Sequence, residues 1–255
     1  MALDTRSIDF DPVARWYDLY VQTKFDCDFW VEEARRSPGR TLELMCGTGR
    51  LSLPILRSGT SLTCVDYSLG QLRRLAEKAR AEALPADVVQ ADAWALPFTT
   101  CFDTILLGFH AFAELSSEED QRAGLESIRR ALRPGGRLVL SLHNPAVRGP
   151  QLDGQWKDFA PVPVPGTEQR LQVSARFGYD AAAQLASGVQ RYRVLQDSGA
   201  IVEEFDLPVR FRLITAAQFE AMVAAVGMRV DTWWGDYQRA PLDPAESPFL
   251  IATVK

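Results

Sequence analysis

Between residues 40 and 142 the chain repeats one unit: a short apolar run, then a stripe of apolar residues at helical spacing. This repeat constrains the fold more than any other feature. Residues 40–45, 61–65, 87–90, 103–108 and 137–142 read as strands, and the unbroken apolar run at 103–108 suits a strand covered on both faces. Between them, Leu51, Ile55 and Leu56 mark one helix, with Pro54 tolerated near its first turn. Leu69, Leu72, Leu75, Ala79 and Ala83 mark a second, with Ser68 placed to cap it. Leu125, Ile128 and Leu132 mark a third, opened by a capping box of Ser116 and Glu119 and closed by Pro134-Gly135-Gly136. Successive β–α units of this kind form a parallel sheet with helices on both faces.

The flanks differ. The first 36 residues read as helix, with Trp16, Tyr17, Leu19, Tyr20 and then Phe29, Trp30, Val31 at helical spacing, ended by Ser37-Pro38-Gly39. After Pro145 a proline-punctuated stretch holding Trp156 and Phe159 leads into three alternating segments, 171–179, 188–196 and 201–213. The last two are joined by the tight turn Asp197-Ser198-Gly199-Ala200. Residues 151–213 therefore read as an antiparallel insertion in one α/β domain. The β/α pattern resumes with a helix over 215–226, boxed by Thr215 and Gln218, and with strands at 228–233 and 249–254.

Composition narrows the partners. Among 255 residues, 28 Lys and Arg against 33 Asp and Glu give a net charge of −5, which provides no field for a phosphate backbone. Arg35–Arg36, Arg73–Arg74 and Arg129–Arg130 fall on helical patterns and read as solvated faces, so nucleic acid is not an expected partner. Cys27, Cys46, Cys64 and Cys101 show no metal-ligand spacing and no disulfide framework, and no metal is expected. No apolar leader and no run of 18 apolar residues is present, so neither export nor membrane insertion is expected; the reading is a cytoplasmic protein.

Three features at three successive strand ends point to one crevice. Gly47 and Gly49 lie at the first strand-to-helix turn, Asp66 follows the second strand, and Asp92 follows the third. Glycines there let a ligand approach the backbone, a carboxylate at the second strand end can accept ribose hydroxyls, and one at the third can receive an adenine amino group. Two nucleotide ligands compete for this pattern. A dinucleotide fingerprint would seat a pyrophosphate on the helix N-terminus, yet Ser52 stands where its third glycine belongs. Glu43, four residues before Gly47, is also poorly matched to a pyrophosphate. S-adenosylmethionine carries an ammonium, a sulfonium, a ribose and an adenine but no phosphate, and it suits the acidic pattern better.

Glu43-Leu-Met-Cys-Gly-Thr-Gly49, Cys64-Val-Asp-Tyr-Ser68, Gln90-Ala-Asp-Ala-Trp94 and Leu132-Arg-Pro-Gly-Gly136 resemble the successive motifs of class I S-adenosylmethionine-dependent methyltransferases. The resemblance covers about residues 40–145 and extends more loosely to both ends; its flavour is that of the glycine and amino-sugar N-methyltransferase group. It implies a doubly wound, mostly parallel seven-stranded sheet in a single domain. An N-terminal helical lid (1–36) would precede the cofactor-binding core (37–145), the antiparallel insertion (146–213) would follow strand five, and 214–255 would complete the sheet. It further implies that Gly47 and Gly49 admit the cofactor's methionine and ribose, with Glu43 beneath its ammonium. Asp66 would hold the ribose and Tyr67 would cover the adenine, whose edge Asp92 and the Ala93 amide would read. Leu107 would offer its carbonyl and Tyr17 would act as a lid. Each aromatic also has a plain reading as core, and for Trp94 the two weigh equally.

The two histidines, His110 and His143, follow strands four and five on the side where ligands bind such sheets. Imidazole suits proton transfer near neutral pH, so both are candidates for catalysis; satisfying loop backbone is the competing role. Phe109, Asn144 and Trp156 are the expected acceptor-pocket residues. Neither a metal-binding carboxylate cluster nor an Asp/Asn-Pro-Pro-Tyr signature is present, which sets aside the catechol and nucleobase branches. The expected function is metal-independent methyl transfer to an O or N nucleophile of a small metabolite by in-line displacement. Cyclisation or cleavage of the cofactor, a rearrangement, and a catalytically silent binding module are the alternatives. The insertion should roof the acceptor pocket; a homodimer interface is the other reading of Trp156 and Phe159.

Overall fold

The structure is a computed structural model that describes residues 8–255. The strands expected between residues 40 and 143 are β1 (Thr41–Leu44), β2 (Leu62–Asp66), β3 (Asp87–Gln90), β4 (Phe102–Leu107) and β5 (Leu132–His143). Towards the N-terminus lie α1 (Ala14–Tyr20) and α2 (Cys27–Arg35), and α3 (Ser52–Arg57), α4 (Leu69–Ala81) and α5 (Glu118–Ala131) alternate with the strands. A one-turn helix α6 (Pro145–Arg148) opens the insertion. Its strands are β6 (Lys157–Asp158), β7 (Val162–Pro163), β8 (Arg170–Asp180), β9 (Leu185–Leu195) and β10 (Ile201–Arg212). Helix α7 (Ala216–Ala225) and strands β11 (Val230–Trp234) and β12 (Phe249–Val254) finish the chain.

The main sheet has seven strands in the order β11-β12-β5-β4-β1-β2-β3, parallel except where β12 runs antiparallel to both neighbours. Strand order reverses between β1 and β4, and the carboxyl ends of these two strands frame the crevice where such sheets take ligands. Leu42, Ile105, Leu140 and Leu142 pack one face against Leu125, Ile128, Phe219 and Val223 of α5 and α7. On the other face, Cys64, Leu106 and Val139 meet Phe29 and Trp30 of α2 and Leu72 and Leu75 of α4. The second sheet, β10-β9-β8-β6 with β7 on β8, is antiparallel, and its inner residues Leu171, Val173, Tyr192 and Leu207 form a third core. Trp16, Leu19 and Tyr20 of α1 pack against that core, so the N-terminal helix lies between the two sheets.

Several local details differ from the sequence reading. The expected N-terminal helix is two helices, broken between Tyr20 and Cys27; its first seven positions lie outside the described residues. The break has a tertiary cause: Arg50 donates to the Thr23 carbonyl and forms two bonds to the Asp26 carboxylate, which a continuous helix would not present together. Helix α5 is capped by Ser117, whose Oγ accepts from the Asp120 amide, and not by Ser116. Three acidic residues then fill the first turn, where the helix dipole favours them. Pro134-Gly135-Gly136 does not end a helix but bulges within β5: Phe102 pairs with Leu132 and Thr104 with Arg137. Ser68 caps α4 and Thr215 with Gln218 forms a capping box on α7, as the spacing indicates. No helix among the described residues is long and apolar enough to cross a membrane.

Candidate active site

Asp66 ends β2 and ties two loops together. Its Oδ2 accepts from the Gly47 amide at 2.7 Å and its Oδ1 from the Ser68 amide at 2.8 Å. These bonds favour the carboxylate, but loss of solvent outweighs them and pushes its pKa up to about 6. Glu43 lies on β1 and is 3 % exposed. The Ser52 hydroxyl donates to it at 2.5 Å, and burial, against that bond and against Arg50, lifts its pKa to about 8. Both carboxyls line a slot at the ends of β1 and β4 together with Tyr17, Gly47, Tyr67, Ala93 and Gly108.

The two glycines of the first turn have different reasons. Gly47 has φ +58°, and a Cβ there would stand 2.7 Å from Oε1 of Gln71 in the slot wall. Gly49 has φ +89°, and its Cβ would strike Leu75 of α4 at 2.8 Å. The first glycine keeps the slot open; the second seats a helix against the turn. Gln71 Nε2 is buried with no hydrogen-bond partner among the described residues, a donor that a ligand in the slot could satisfy.

Three aspartates fasten the N-terminal segment to this turn. Asp11 accepts from the Ser68 hydroxyl and the Gly70 amide, at 2.5 and 2.7 Å. Asp18 of α1 accepts from the Thr48 hydroxyl at 2.5 Å and pairs with Lys78 at 2.8 Å. Asp26, fully buried, holds Arg50, whose guanidinium also stands 4.3 Å above the Phe109 ring. Sequence reasoning passed over all three, because their partners are distant and carry no motif. Only the placement of Asp18 beside Tyr17 hinted at a role.

A second cavity of about 490 Å³ adjoins the slot and shares Phe10, Tyr17, Phe109 and Glu114 with it. Its walls are aromatic: Tyr20 and Phe25 from the N-terminal segment, Phe159, Phe177 and Phe211 from the insertion, and Phe249 from β12. His110 and His143 line it with ring centroids 3.9 Å apart. Phe109 and His110 both adopt left-handed backbone, φ +53° and +62°, a conformation non-glycine residues reach only with strain. Burial, helped by Arg148 and Arg50, pushes the His110 pKa down to about 3. Burial, His110 and Arg148 also push His143 well down. Both rings are therefore neutral at physiological pH, and Nδ1 of His110 is buried without a partner among the described residues. Glu114 closes a short 3-10 turn after β4, and desolvation lifts its pKa to about 8.

The expected cofactor residues divide. Tyr17, Glu43, Gly47, Asp66, Tyr67 and Ala93 line the slot, whereas Gly49 and Leu107 do not: Leu107 is fully buried and the following Gly108 forms the wall. Asp92 heads the 3-10 turn after β3 between two lining alanines, outside the wall itself. Trp94 packs on the core beneath the main sheet. On the acceptor side, Phe109, His110 and His143 line the cavity; Asn144 and Trp156 do not. Asn144 caps α6 and donates its amide to the Pro244 and Ser247 carbonyls at 3.1 and 2.8 Å, a bracing contact. Trp156 stands apart from the cavity, its ring 5.1 and 4.9 Å from the guanidiniums of Arg176 and Arg191. Arg50, Gln71, Glu114, Arg148 and Phe211 are wall residues that sequence reasoning missed; each lies outside the recognised motifs.

Residues 41–136 match the family described as a methyltransferase domain. That segment runs from the start of β1 to the bulge of β5 and carries the slot at the switch point of the sheet. The chain is 35 % identical over 118 residues to a cypemycin N-terminal methyltransferase from Streptomyces, an alignment covering 46 % of this chain and 47 % of the relative. It spans about half the length of several curated relatives it matches. An S-adenosylmethionine-dependent methyltransferase from Clostridium acetobutylicum superposes with a TM-score of 0.78 at 17 % identity, covering 96 % of this chain and 98 % of the other. The sugar N-methyltransferase KedS8 from Streptoalloteichus superposes with a TM-score of 0.73 at 17 % identity, covering 98 % and 94 %. These two likenesses establish the fold across nearly the whole chain, insertion included.

Proposed function

We propose that the protein transfers a methyl group from S-adenosylmethionine to an O or N nucleophile of a small, largely apolar metabolite. One observation carries the reading: the slot at the β1/β4 switch point opens through the shared residues Phe10, Tyr17, Phe109 and Glu114 into an aromatic cavity large enough for a second small molecule. Donor and acceptor sites that share a wall are what a direct transfer requires. Bound in the slot, S-adenosylmethionine would supply a sulfonium methyl open to in-line attack, the sulfur becoming neutral as its bond to the methyl breaks.

The chain's own residues hold, orient and exclude water. Asp66 keeps lone pairs for ribose hydroxyls beyond the two amides it already accepts. Glu43 and Gln71 meet the methionine end, the first as an acidic partner and the second as a donor left unpaired. Tyr17 covers the slot, held in place by the Asp18 bonds to Thr48 and Lys78. His110 acts as an orienting hydrogen-bond acceptor for the nucleophile, because an imidazole so reluctant to take a proton is a weak general base. The insertion, contributing Phe159, Phe177, Gln190, Val209 and Phe211, roofs the acceptor cavity and so sets substrate choice.

Incubating the protein with a methyl-labelled donor and pools of small metabolites tests the reading by mass spectrometry. Label should appear in an acceptor, with S-adenosylhomocysteine formed in equal amount. Donor consumed without any acceptor would instead indicate cleavage or cyclisation of the cofactor, and binding without turnover in any pool would defeat the reading.

A further inference from the structure

Two ionisable side chains, Glu114 and Arg148, line the second cavity without a partner of opposite charge among the described residues. Glu114 lines both the slot and the cavity and has no hydrogen bond or ion pair among the described residues. Its neighbours Phe112, Ala113 and Leu115 are buried apolar groups. Arg148, at the end of α6, lines the cavity beside the histidine pair. Its guanidinium donates once, to the Gln151 side chain at 3.0 Å, while Nε is buried and unpaired and no carboxylate pairs with it among the described residues. Elsewhere the fully buried Asp26 and Glu33 are ion-paired with Arg50 and Arg137. Glu43 and Asp66, which form no ion pair among the described residues, accept from the Ser52 hydroxyl and from the Gly47 and Ser68 amides. Half-buried Glu114 has neither kind of partner among the described residues.

A withdrawn charge without a counter-charge is costly, and proteins keep one chiefly where a ligand completes it. We propose that Glu114 and Arg148 are the specificity residues of the acceptor cavity and that the acceptor is a zwitterion. On this assignment an amine docks on Glu114 beside the donor slot, and a carboxylate or phosphate docks on Arg148. The inference rests on the methyl-transfer reading and deepens it, naming nitrogen as the methylated atom. Position supports the assignment of ends: Glu114 belongs to both compartments and Arg148 to the outer one alone, so the amine is the group next to the methyl. The aromatic walls between them suit an apolar body and a cationic nitrogen alike. Glu114 also has a second task. An ammonium must shed a proton before its lone pair can attack, and the Glu114 carboxylate takes that proton, leaving a neutral amine beside a neutral carboxyl. The lift in the Glu114 pKa from desolvation brings it towards that of an amine, which makes the exchange easier.

Calorimetry on the full chain saturated with S-adenosylhomocysteine tests the assignment. The probes are para-(aminomethyl)benzoate and O-phosphotyramine as zwitterions, with benzylamine, benzoate, tyramine and phenyl phosphate carrying one charge each. At least one zwitterion should bind about tenfold or more tighter than its single-charge analogues, and the tighter of the two identifies the anionic group as carboxylate or phosphate. Glu114→Gln should remove the advantage conferred by the amine and leave benzoate and phenyl phosphate unaffected. Arg148→Gln should do the reverse. Melting temperatures of both variants, expected near that of the parent protein, separate these effects from misfolding. Equal affinities for zwitterions and single-charge probes, no detectable zwitterion binding, or the same loss on every probe in both variants would overturn the proposal. If the chain binds S-adenosylhomocysteine and fails these tests, only this inference falls; if it does not bind S-adenosylhomocysteine, the methyl-transfer reading falls first.

Discussion

The donor slot and the acceptor cavity share four residues yet are built by opposite rules. The slot takes most of its polar groups from the ends of β1 and β2 and the turns that follow, Glu43 to Arg50 and Asp66 to Gln71, and backbone amides do much of its work: the Gly47 and Ser68 amides fix Asp66. The cavity is assembled from side chains as far apart as Phe10 and Phe249, about half of them Phe or Tyr, with its polar groups contributed one or two at a time by separate elements. The difference teaches what each compartment can vary. A slot held by turn geometry and backbone donors depends on positions that only a few residues can occupy, whereas the cavity wall depends on side-chain shape.

The largest expected effect lies on the donor side. Asp66→Ala removes the acceptor of two backbone amides and of the ribose hydroxyls, bonds worth about 1.5–3 kcal/mol each where one partner is charged. S-adenosylhomocysteine binding measured by calorimetry should weaken by well over tenfold, while circular dichroism shows the fold retained. Unchanged affinity would take Asp66 out of the site and break the contrast between the compartments.

Next comes pH. Folding raises the pKa of Glu43 and Glu114 from 4.5 to about 8, so in this range the native state holds protons that the unfolded chain has released. Stability therefore falls as pH rises towards 8, by about 1.4 kcal/mol per unit for each proton so held. The lowered histidines act in the opposite sense, since the unfolded chain protonates where the native state does not, and their contribution fades within about one unit above 6.5. Asp66, raised to about 6, likewise acts below that point. Between about pH 7 and 8 the two glutamates outweigh the remaining histidine titration, and denaturant titrations should show stability declining. Glu43→Gln should reduce the slope by about half, and a slope unaffected by this variant would contradict the burial described for Glu43.

His110 comes third. His110→Ala should lower turnover by about tenfold, the scale of one hydrogen bond of about 1–1.5 kcal/mol to the nucleophile, with S-adenosylhomocysteine affinity nearly unchanged, since its proposed contact is on the acceptor side. With its imidazole neutral down to about pH 3, the parent protein's turnover should show no inflection near 6.5 attributable to this ring. Equal losses in turnover and donor affinity would place His110 with the structural residues of the β4 loop.

What the sequence disclosed follows the same division. The β–α repeat, Ser68, the Thr215 box and the turn at Gly199 were legible because each depends on neighbours a few residues away. So were Glu43, Gly47 and Asp66, which sit where strand ends meet. Gly49 was misassigned because a glycine in a turn does not announce whether a ligand or Leu75 lies opposite. The break after Tyr20 was invisible because Arg50 creates it from 24 residues beyond Asp26. Glu114 and Arg148 were missed since a lone charge between apolar residues looks like surface until the fold encloses it.

Trp156 gives the smallest effect and the sharpest test of where the cavity ends. As a large apolar residue in the loop entering the insertion, it was expected on the acceptor wall. The structure puts it against Arg176 and Arg191, and Arg191 is held in turn by Asp206 through two bonds of 2.7 Å. Phe159, three residues on, and Phe211 of β10 reach the cavity instead. Trp156→Ala should therefore cost about 1 kcal/mol of stability or less, the scale of exposed cation–π contacts, and leave acceptor KM nearly unchanged. Phe211→Ala opens the cavity wall itself and should change acceptor KM several-fold. Steady-state kinetics on the two variants decides between them. If Trp156→Ala alters KM and Phe211→Ala does not, the roof of the acceptor site lies on the other face of the second sheet, and the division between donor and acceptor compartments must be redrawn.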